Sequence, residues 1–140
     1  MQKRLDTCLS TTRKIKDIEE DILEMRARAM SPKNQVITGM PRGGTAENQS
    51  DSYMVKLERL SAKKRKLEFE RDSQWDRIVE ALLNKNVKME HIELLRYRFY
   101  SGMQWRKCCA LMCRDYEKSG WNMNKVFRIY RQILRKFTLD

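Results

Sequence analysis

The chain has 140 residues, of which 41% are apolar and 35% are charged, and it contains only two prolines and five glycines. This length fits one domain, or one small domain with an appendage, and the composition favours long helices with little core per residue. No apolar run approaches the roughly 18 residues of a membrane span and no signal peptide is present, so neither a membrane protein nor a secreted one is expected. The net charge of +11 favours a polyanionic partner.

Residues 2 to 30 are predicted to form a first long helix. Its apolar residues follow one another at steps of three and four, which is the spacing of a coiled-coil seam. The seam consists of Ile15, Ile18, Ile22, Met25 and Ala29, and it is extended towards the start by Leu5, Cys8 and Leu9. One side of this helix is therefore expected to pack against a second helix.

The segment from Ser31 to Ser52 contains both prolines and three of the five glycines, and it lacks apolar periodicity. These features predict a flexible linker. A solvated connector is favoured over a nucleic-acid contact through Lys33 and Arg42.

A second long helix is predicted from about Tyr53 to Asn84, and its apolar side is interrupted by Lys64 and Arg71. The apolar residues are Met54, Leu57, Leu60, Leu67, Trp75, Ile78 and Leu82. The two long helices are expected to pair as an antiparallel, coiled-coil-like hairpin, placed with its linker in a domain of residues 1–86. The thin core of this hairpin is compatible with a homodimer. The basic run from Lys63 to Lys66 is interpreted as a solvated face rather than a phosphate contact.

Residues 87–140 are predicted to form a second, basic domain of three short helices. The apolar stripe of the first helix is Met89, Ile92, Leu95 and Phe99, and that of the second is Trp105, Cys108, Cys109 and Met112. Ser101 and Gly102 form the stop between them. The third helix buries Val126, Ile129, Tyr130, Ile133, Leu134 and Phe137. Because each helix has only one apolar face, the three must pack together, and a helix-turn-helix is the commonest basic unit of this kind.

The opposite side of the third helix carries Asn124, Arg128, Arg131 and Arg135. A helix with such a face fits the DNA major groove, where Arg and Asn side chains make paired hydrogen bonds to guanine and adenine. The alternative is an ordinary amphipathic helix with a basic solvated face. The pattern of this helix alone does not distinguish a DNA-binding helix from this alternative, so the neighbouring helices must be considered as well.

No arrangement of residues indicates catalysis. The chain has one histidine and none of the common nucleotide-binding, metalloprotease or hydrolase motifs, and its carboxylates lie among lysines. Neither an enzyme nor a cofactor is expected. The cysteines are interpreted as reduced, buried apolar residues rather than as a zinc site built on Cys109, Cys113 and His91.

Several short motifs of the chain resemble a known family. The order of Arg96-Tyr97, Gly102, Trp105 and the stretch from Val126 to Tyr130 is similar to the C-terminal helix-turn-helix of ArpU/RinA-type regulators. These are encoded by phages of Gram-positive bacteria and resemble region 4 of sigma-70 factors. The stretch from Met40 to Gly44 resembles the linker of a subset of these proteins. The turn between Met112 and Asn122 is longer than the family usually has.

The resemblance implies a sequence-specific transcriptional regulator of a phage or prophage, activating late genes on double-stranded DNA in the bacterial cytoplasm. Its hairpin would set the oligomeric state or contact the host RNA polymerase. We expect base contacts from Asn124, Arg128 and Arg131, and phosphate contacts from Arg135, Gln104, Arg106 and Lys107. Lys125 lies on the flank of the helix and would reach a phosphate or a base. Asn122 is interpreted first as a helix N-cap and second as a DNA contact, and Trp105 as a core residue.

Two other functions remain open from the sequence. A phage small terminase subunit also combines a helix-turn-helix with paired helices, but it would form a ring of many subunits and bind packaging sites. A helical adaptor would bind a protein through its hairpin and use its basic surface only for solubility.

Overall fold

The computed structural model describes residues 1–30 and 43–138, with side chains described from residue 52 onwards in the second range. In these ranges every element is helical, which confirms the predicted all-α fold. The helices are α1 (Gln2–Ala29), α2 (Gly43–Asn84), α3 (Met89–Leu95), α4 (Trp105–Asp115) and α5 (Met123–Thr138). A π-helical turn (Arg96–Tyr100) continues α3, and one 3-10 turn (Glu117–Ser119) lies between α4 and α5.

The two long helices form the predicted hairpin. The Thr11 hydroxyl donates to Oε1 of Gln74 at 3.0 Å. Further along α1, Glu19 Oε1 lies 3.4 Å from Nζ of Lys64. Partners of later residues in α1 come earlier in α2, so the pairing is antiparallel.

The chain divides into two compact units, which differ from the predicted domains. Residues 1–13 and 69–140 form the core unit, and residues 14–68 form the hairpin unit. The predicted boundary after residue 86 does not separate them, because the first turns of α1 and the last turns of α2 belong to the core of the C-terminal helices. Sequence periodicity gave the apolar face of each long helix but did not show which partner covers each part of it.

One hydrophobic cluster fills the core unit, and all five helices contribute to it. Its buried members are Leu5, Cys8, Leu9, Trp75, Ile78, Leu82, Val87, Ile92, Leu94, Leu95, Tyr97, Phe99, Cys108, Met112, Trp121, Val126, Ile129 and Ile133. The predicted apolar faces of α4 and α5 are thereby confirmed, whereas Met89, at the start of α3, is exposed. Burial raises the pKa of the Cys8 and Cys108 thiols to about 11, which fits the prediction of buried, reduced cysteines, whereas Cys109 is half-buried and Cys113 is exposed.

The hairpin unit has a much thinner core. Among its described residues, the buried apolar ones are Ile15, Ile18 and Ile22, which confirm the central part of the predicted seam. On α2, the residues Leu57, Leu60 and Leu67 are only half-buried. Ala29 and Met54 were expected in the apolar seams but are exposed. Within the basic run, Lys63, Arg65 and Lys66 are exposed, while Lys64 is bound to Glu19 and Glu68.

Helix α2 begins at Gly43, so the predicted linker is wrong for residues 43–52. Residues 31–42, which include both prolines, lie outside the described part of the chain. The error has a physical reason, because apolar periodicity reports burial rather than helicity. Ala46, Glu47 and Gln49 are good helix formers, and no proline follows Pro41 to interrupt them.

A buried threonine of α1 holds the end of the π-helical turn. The Thr12 hydroxyl lies 2.8 Å from the Tyr100 carbonyl oxygen and 3.1 Å from that of Cys8. The last carbonyl groups of a helix lack partners within it, so Thr12 stabilises this terminus. Gly102, with φ of 71°, then turns the chain towards α4, which confirms the predicted stop.

Candidate nucleic-acid interface

Helix α5 has one buried face and one basic face. Val126, Ile129 and Ile133 are buried in the hydrophobic cluster. Asn124, Arg128, Arg131 and Arg135 are all exposed, as predicted. Five of the sixteen residues of α5 are basic and none is acidic. The helix therefore presents positive charge that no acidic residue of its own neutralises.

The start of α5 borders a shallow cleft in which most of these side chains meet. The cleft is lined by Ser119, Gly120, Asn122, Asn124, Lys125, Phe127, Arg128 and Arg131. We call Asn124, Phe127, Arg128 and Arg131 the reading face. Nε of Arg131 donates to the Phe127 carbonyl oxygen at 3.3 Å, so the backbone of α5 itself orients this guanidinium. Arg135 lies in the last turn of α5, outside the residues that line the cleft.

The predicted phosphate contacts at the start of α4 are accessible. Gln104, Arg106 and Lys107 are all exposed. Gln104 is extended, with φ of −66° and ψ of 152°, and its side chain makes no capping hydrogen bond. Amide N–H groups of a first helical turn and nearby cations suit phosphate oxygens. This group belongs to α4, whereas the reading face belongs to α5, so the predicted site residues fall into two groups.

The turn between α4 and α5 is long, but its position is fixed by Trp121. This tryptophan is buried, and its indole N–H donates to the Glu90 carboxylate at the start of α3. Its ring stands edge-on to that of His91 at 6.1 Å, and the Cys113 thiol donates to its carbonyl oxygen at 3.1 Å. Gly120 is left-handed, with φ of 65°, so a side chain at this position would strain the backbone. The turn is therefore anchored to α3 and α4, and the reading face of α5 is exposed.

Asn122 and Lys125 both stabilise this turn. The Oδ1 atom of Asn122 accepts the Lys125 backbone N–H at 2.8 Å, which is the N-cap geometry predicted first for this residue. The ammonium of Lys125 donates to the Ser119 carbonyl oxygen at 2.5 Å and lies 4.5 Å from the centre of the Trp121 ring. Lys125 would have to leave both partners to contact DNA, and its contact with a phosphate or a base stays a prediction.

The Glu90 carboxylate, which accepts the indole N–H of Trp121, is stabilised in its ionised form. Burial acts to raise the pKa of Glu90, but hydrogen bonds from Ser119 and Trp121 and the charge of Lys125 lower it by more. The net effect is a pKa below the usual range of a glutamate. An ionised carboxylate is a stronger acceptor for the indole N–H than a protonated one, so this charge strengthens the anchor of the turn.

A cluster of aromatic rings fixes α4 against α5. Trp105, the first residue of α4, is half-buried, and its ring lies 5.1 Å from that of Tyr130 and 5.9 Å from that of Phe99. The Arg98 guanidinium lies 5.1 Å from the centre of the Trp105 ring and donates to the Met103 carbonyl oxygen at 2.9 Å. These contacts fit the expectation that Trp105 acts as a core residue.

The other residues that carry the family resemblance also support the scaffold. Arg96 forms a two-point ion pair with Glu93, at 2.7 and 3.1 Å. The Tyr97 hydroxyl donates to the Asp115 carboxylate at the end of α4. The motif residues upstream of α5 therefore position its neighbours rather than form the basic surface.

Phe127 is the surface residue that the sequence interpretation missed. Its side chain is 38% exposed, although it follows buried Val126 directly. The available signal was its angle on the helix, because it lies three residues after Asn124 and four before Arg131. An aromatic residue at this angle lies with the polar residues of an amphipathic helix, so the exposure of Phe127 could have been predicted.

Comparison with known proteins adds no family to these observations, since no family model, curated protein or solved structure matches the chain. Within residues 1–30 and 43–138, no helix is both long and apolar enough to cross a membrane.

Proposed function

We propose that the protein binds double-stranded DNA in a sequence-specific manner through the reading face of α5, and that it is a transcriptional regulator. The observation that carries this proposal is the reading face itself, where an asparagine and two arginines stand exposed on a helix without acidic residues. Asn pairs with adenine and Arg with guanine through two hydrogen bonds each in the major groove.

Two features of the scaffold support this function. Trp105 contacts Tyr130 within α5, and the hydrogen bond from Trp121 to Glu90 fixes the turn that precedes α5. A rigid helix loses little conformational entropy when it enters a groove, so its side chains can discriminate between bases. Gln104, Arg106 and Lys107 are exposed, and in this proposal they contact the DNA backbone and set the register of α5.

The motif resemblance extends the proposal to a phage or prophage regulator that activates late genes in the bacterial cytoplasm. The N-terminal hairpin then serves for assembly or for contact with RNA polymerase. Exposed Leu23, Met54 and Val55 on the hairpin unit support a second copy of the chain as one partner. Neither a catalytic activity nor a cofactor belongs to this proposal.

The salt dependence of binding tests the DNA proposal directly. With about six phosphate contacts, a plot of log K against log salt should have a slope near −5. Replacing Lys107 with alanine should reduce this slope by about one unit, because one counterion fewer is released. No binding to any duplex at low salt would contradict the proposal and favour a protein adaptor.

Recovery of bound fragments from the source genome tests the regulatory part. Enrichment of promoter regions is expected, together with a dimeric mass in solution. Enrichment of a single packaging region by a ring of many subunits would instead identify a small terminase subunit.

A further inference from the structure

Phe127 places an apolar aromatic ring at one edge of the reading face. It lines the same cleft as Asn124 and Arg128, and Arg131 donates to its carbonyl oxygen. Most large apolar side chains of α5 are at least half-buried, whereas Phe127 is 38% exposed. Phe127 is therefore more exposed than the aromatic residues of the core. It lies on the same surface as the residues that are predicted to contact bases.

The ring of Phe127 is also held in place from behind. The Trp105 ring lies 5.6 Å away at an interplanar angle of 61°, in an edge-on contact. Trp105 in turn packs on Tyr130 at 5.1 Å and on Phe99 at 5.9 Å. The Phe127 ring therefore packs on Trp105, which is itself fixed by two other rings, while part of the Phe127 side chain stays on the surface. A side chain that is ordered before binding loses little rotamer freedom in a complex.

We propose that Phe127 contacts the C5-methyl group of a thymine and so determines sequence specificity at that base pair. The inference rests on the proposed DNA-binding function and names one base that the reading face recognises. Bases are distinguished in the major groove by their hydrogen-bond donors and acceptors and by the C5-methyl group of thymine, which is apolar. Asparagine and arginine satisfy the polar edges, but neither gains much from a methyl group. An exposed phenyl ring beside them matches this group, and the contact removes both from water.

The test uses a duplex selected from a random pool by the full-length protein. Each thymine of the selected site is replaced in turn by deoxyuridine, which lacks only the C5-methyl group. One replacement should weaken binding about three- to fivefold, since burial of one such carbon contributes about 0.8 kcal/mol. The other replacements should have little effect.

Two variants connect this loss to Phe127. Phe127→Ala should bind the thymine site about three- to fivefold more weakly and should no longer distinguish it from the deoxyuridine site. Phe69→Ala removes a phenylalanine that is 76% exposed on α2, so it is a matched control that should keep the full discrimination. Thermal unfolding establishes that both variants are folded.

The deoxyuridine series with the unchanged protein is informative by itself, so the test does not depend on the stability of a variant. Binding of the selected duplex without a loss at any thymine would overturn the inference while the proposed function stands. Discrimination retained by folded Phe127→Ala would also overturn it. If no duplex binds at all, both the inference and the proposed function fail.

Discussion

The core unit and the hairpin unit use parts of the same two long helices, but these parts are covered to very different extents. In the core unit, Ile78 and Leu82 of α2 are at most 1% exposed because they belong to a cluster shared by all five helices. In the hairpin unit, Leu57 and Leu60 of the same helix are only half-buried. Two paired helices can each bury one stripe, whereas additional helices are needed to close a core. Helix length is therefore a poor guide to where the stability of this protein resides.

The largest effect should come from cutting the core unit at the domain boundary that the sequence suggests. A fragment of residues 87–140 lacks six buried members of the hydrophobic cluster, namely Leu5, Cys8, Leu9, Trp75, Ile78 and Leu82. Each buried apolar side chain of this kind contributes about 1.5–3 kcal/mol, and a small domain has only about 5–15 kcal/mol in total. We expect the fragment to be unfolded by circular dichroism and to lack specific DNA binding.

The matched control removes the hairpin unit instead. A chain in which a flexible linker of about ten residues replaces residues 14–68 retains every member of the cluster. It should fold cooperatively and keep binding to a single DNA half-site. A folded 87–140 fragment, or an unfolded shortened chain, would show that the two units do not differ as described.

The next largest effect compares the same substitution in the two units. Ile78→Ala should lower the free energy of unfolding by about 2–5 kcal/mol, because it leaves a cavity in the core cluster. Ile22→Ala, in the hairpin unit, should lower the free energy of the main transition by less than about 1 kcal/mol. Its effect should appear as faster amide hydrogen exchange within residues 14–30. Equal losses from the two substitutions in chemical denaturation would mean that the units unfold as one.

A third comparison, between an arginine of α5 and one of the hairpin unit, distinguishes a specific DNA contact from a general effect of positive surface charge. Arg128→Ala should cost about 1–3 kcal/mol at a preferred site and much less on random DNA, because it removes base contacts. Arg65 is also exposed but lies in the hairpin unit. Arg65→Ala should change both affinities little, as measured by fluorescence anisotropy at fixed salt. If Arg65→Ala has the larger effect, the basic run of the hairpin rather than α5 contacts the DNA.

The smallest expected effect is a pH dependence of the core unit. Burial lowers the pKa of His91, the nearby Glu90 opposes this shift, and Lys88, Lys125 and Lys136 add to it. The unfolded chain then takes up a proton at higher pH than the folded chain does. Stability should be complete above the ordinary pKa of 6.5 and fall as the pH drops through this value towards the lowered one.

Denaturation of the wild type and of His91→Gln, measured between about pH 8 and pH 5, tests this dependence. The slope in this range should be smaller in the variant. Because the pKa of Glu90 is lowered from 4.5, its contribution is lost only at lower pH and does not obscure the comparison. An unchanged slope in the variant would assign the pH dependence to other groups.

Much of the fold could be predicted from residue spacing, because burial leaves a periodic signal. Val126, Ile129 and Ile133 recur at steps of three and four, and all three are buried. The polar start of α2 left no such signal, so its first turns were assigned to a linker. The sequence also did not show that α1 is divided between the two units. Leu9 and Ile15 are both apolar residues of the same seam, but they lie in different units.

The candidate site was predictable to a similar extent. Helical angles placed Asn124, Arg128 and Arg131 on one face, and the structure has them exposed together. Lys125 is equally basic, yet its ammonium is bound to Ser119. That contact depends on the left-handed turn at Gly120, which sequence spacing does not specify. Phe127 was missed because it belongs neither to the predicted apolar stripe nor to the polar residues of the opposite side, and spacing alone does not show that its ring packs on Trp105.

The hydrogen bond from Thr12 to the Tyr100 carbonyl oxygen joins residues that are 88 positions apart in the chain. A contact of such long range requires closure of a large loop, and proteins rich in these contacts fold slowly. During synthesis, α1 leaves the ribosome long before its partners in α3 and α5 exist. Leu5 and Leu9 then have nothing from the C-terminal helices to cover them. Because Val126, Ile129 and Ile133 of α5 belong to the same cluster, the core unit can be completed only after this helix has been synthesised.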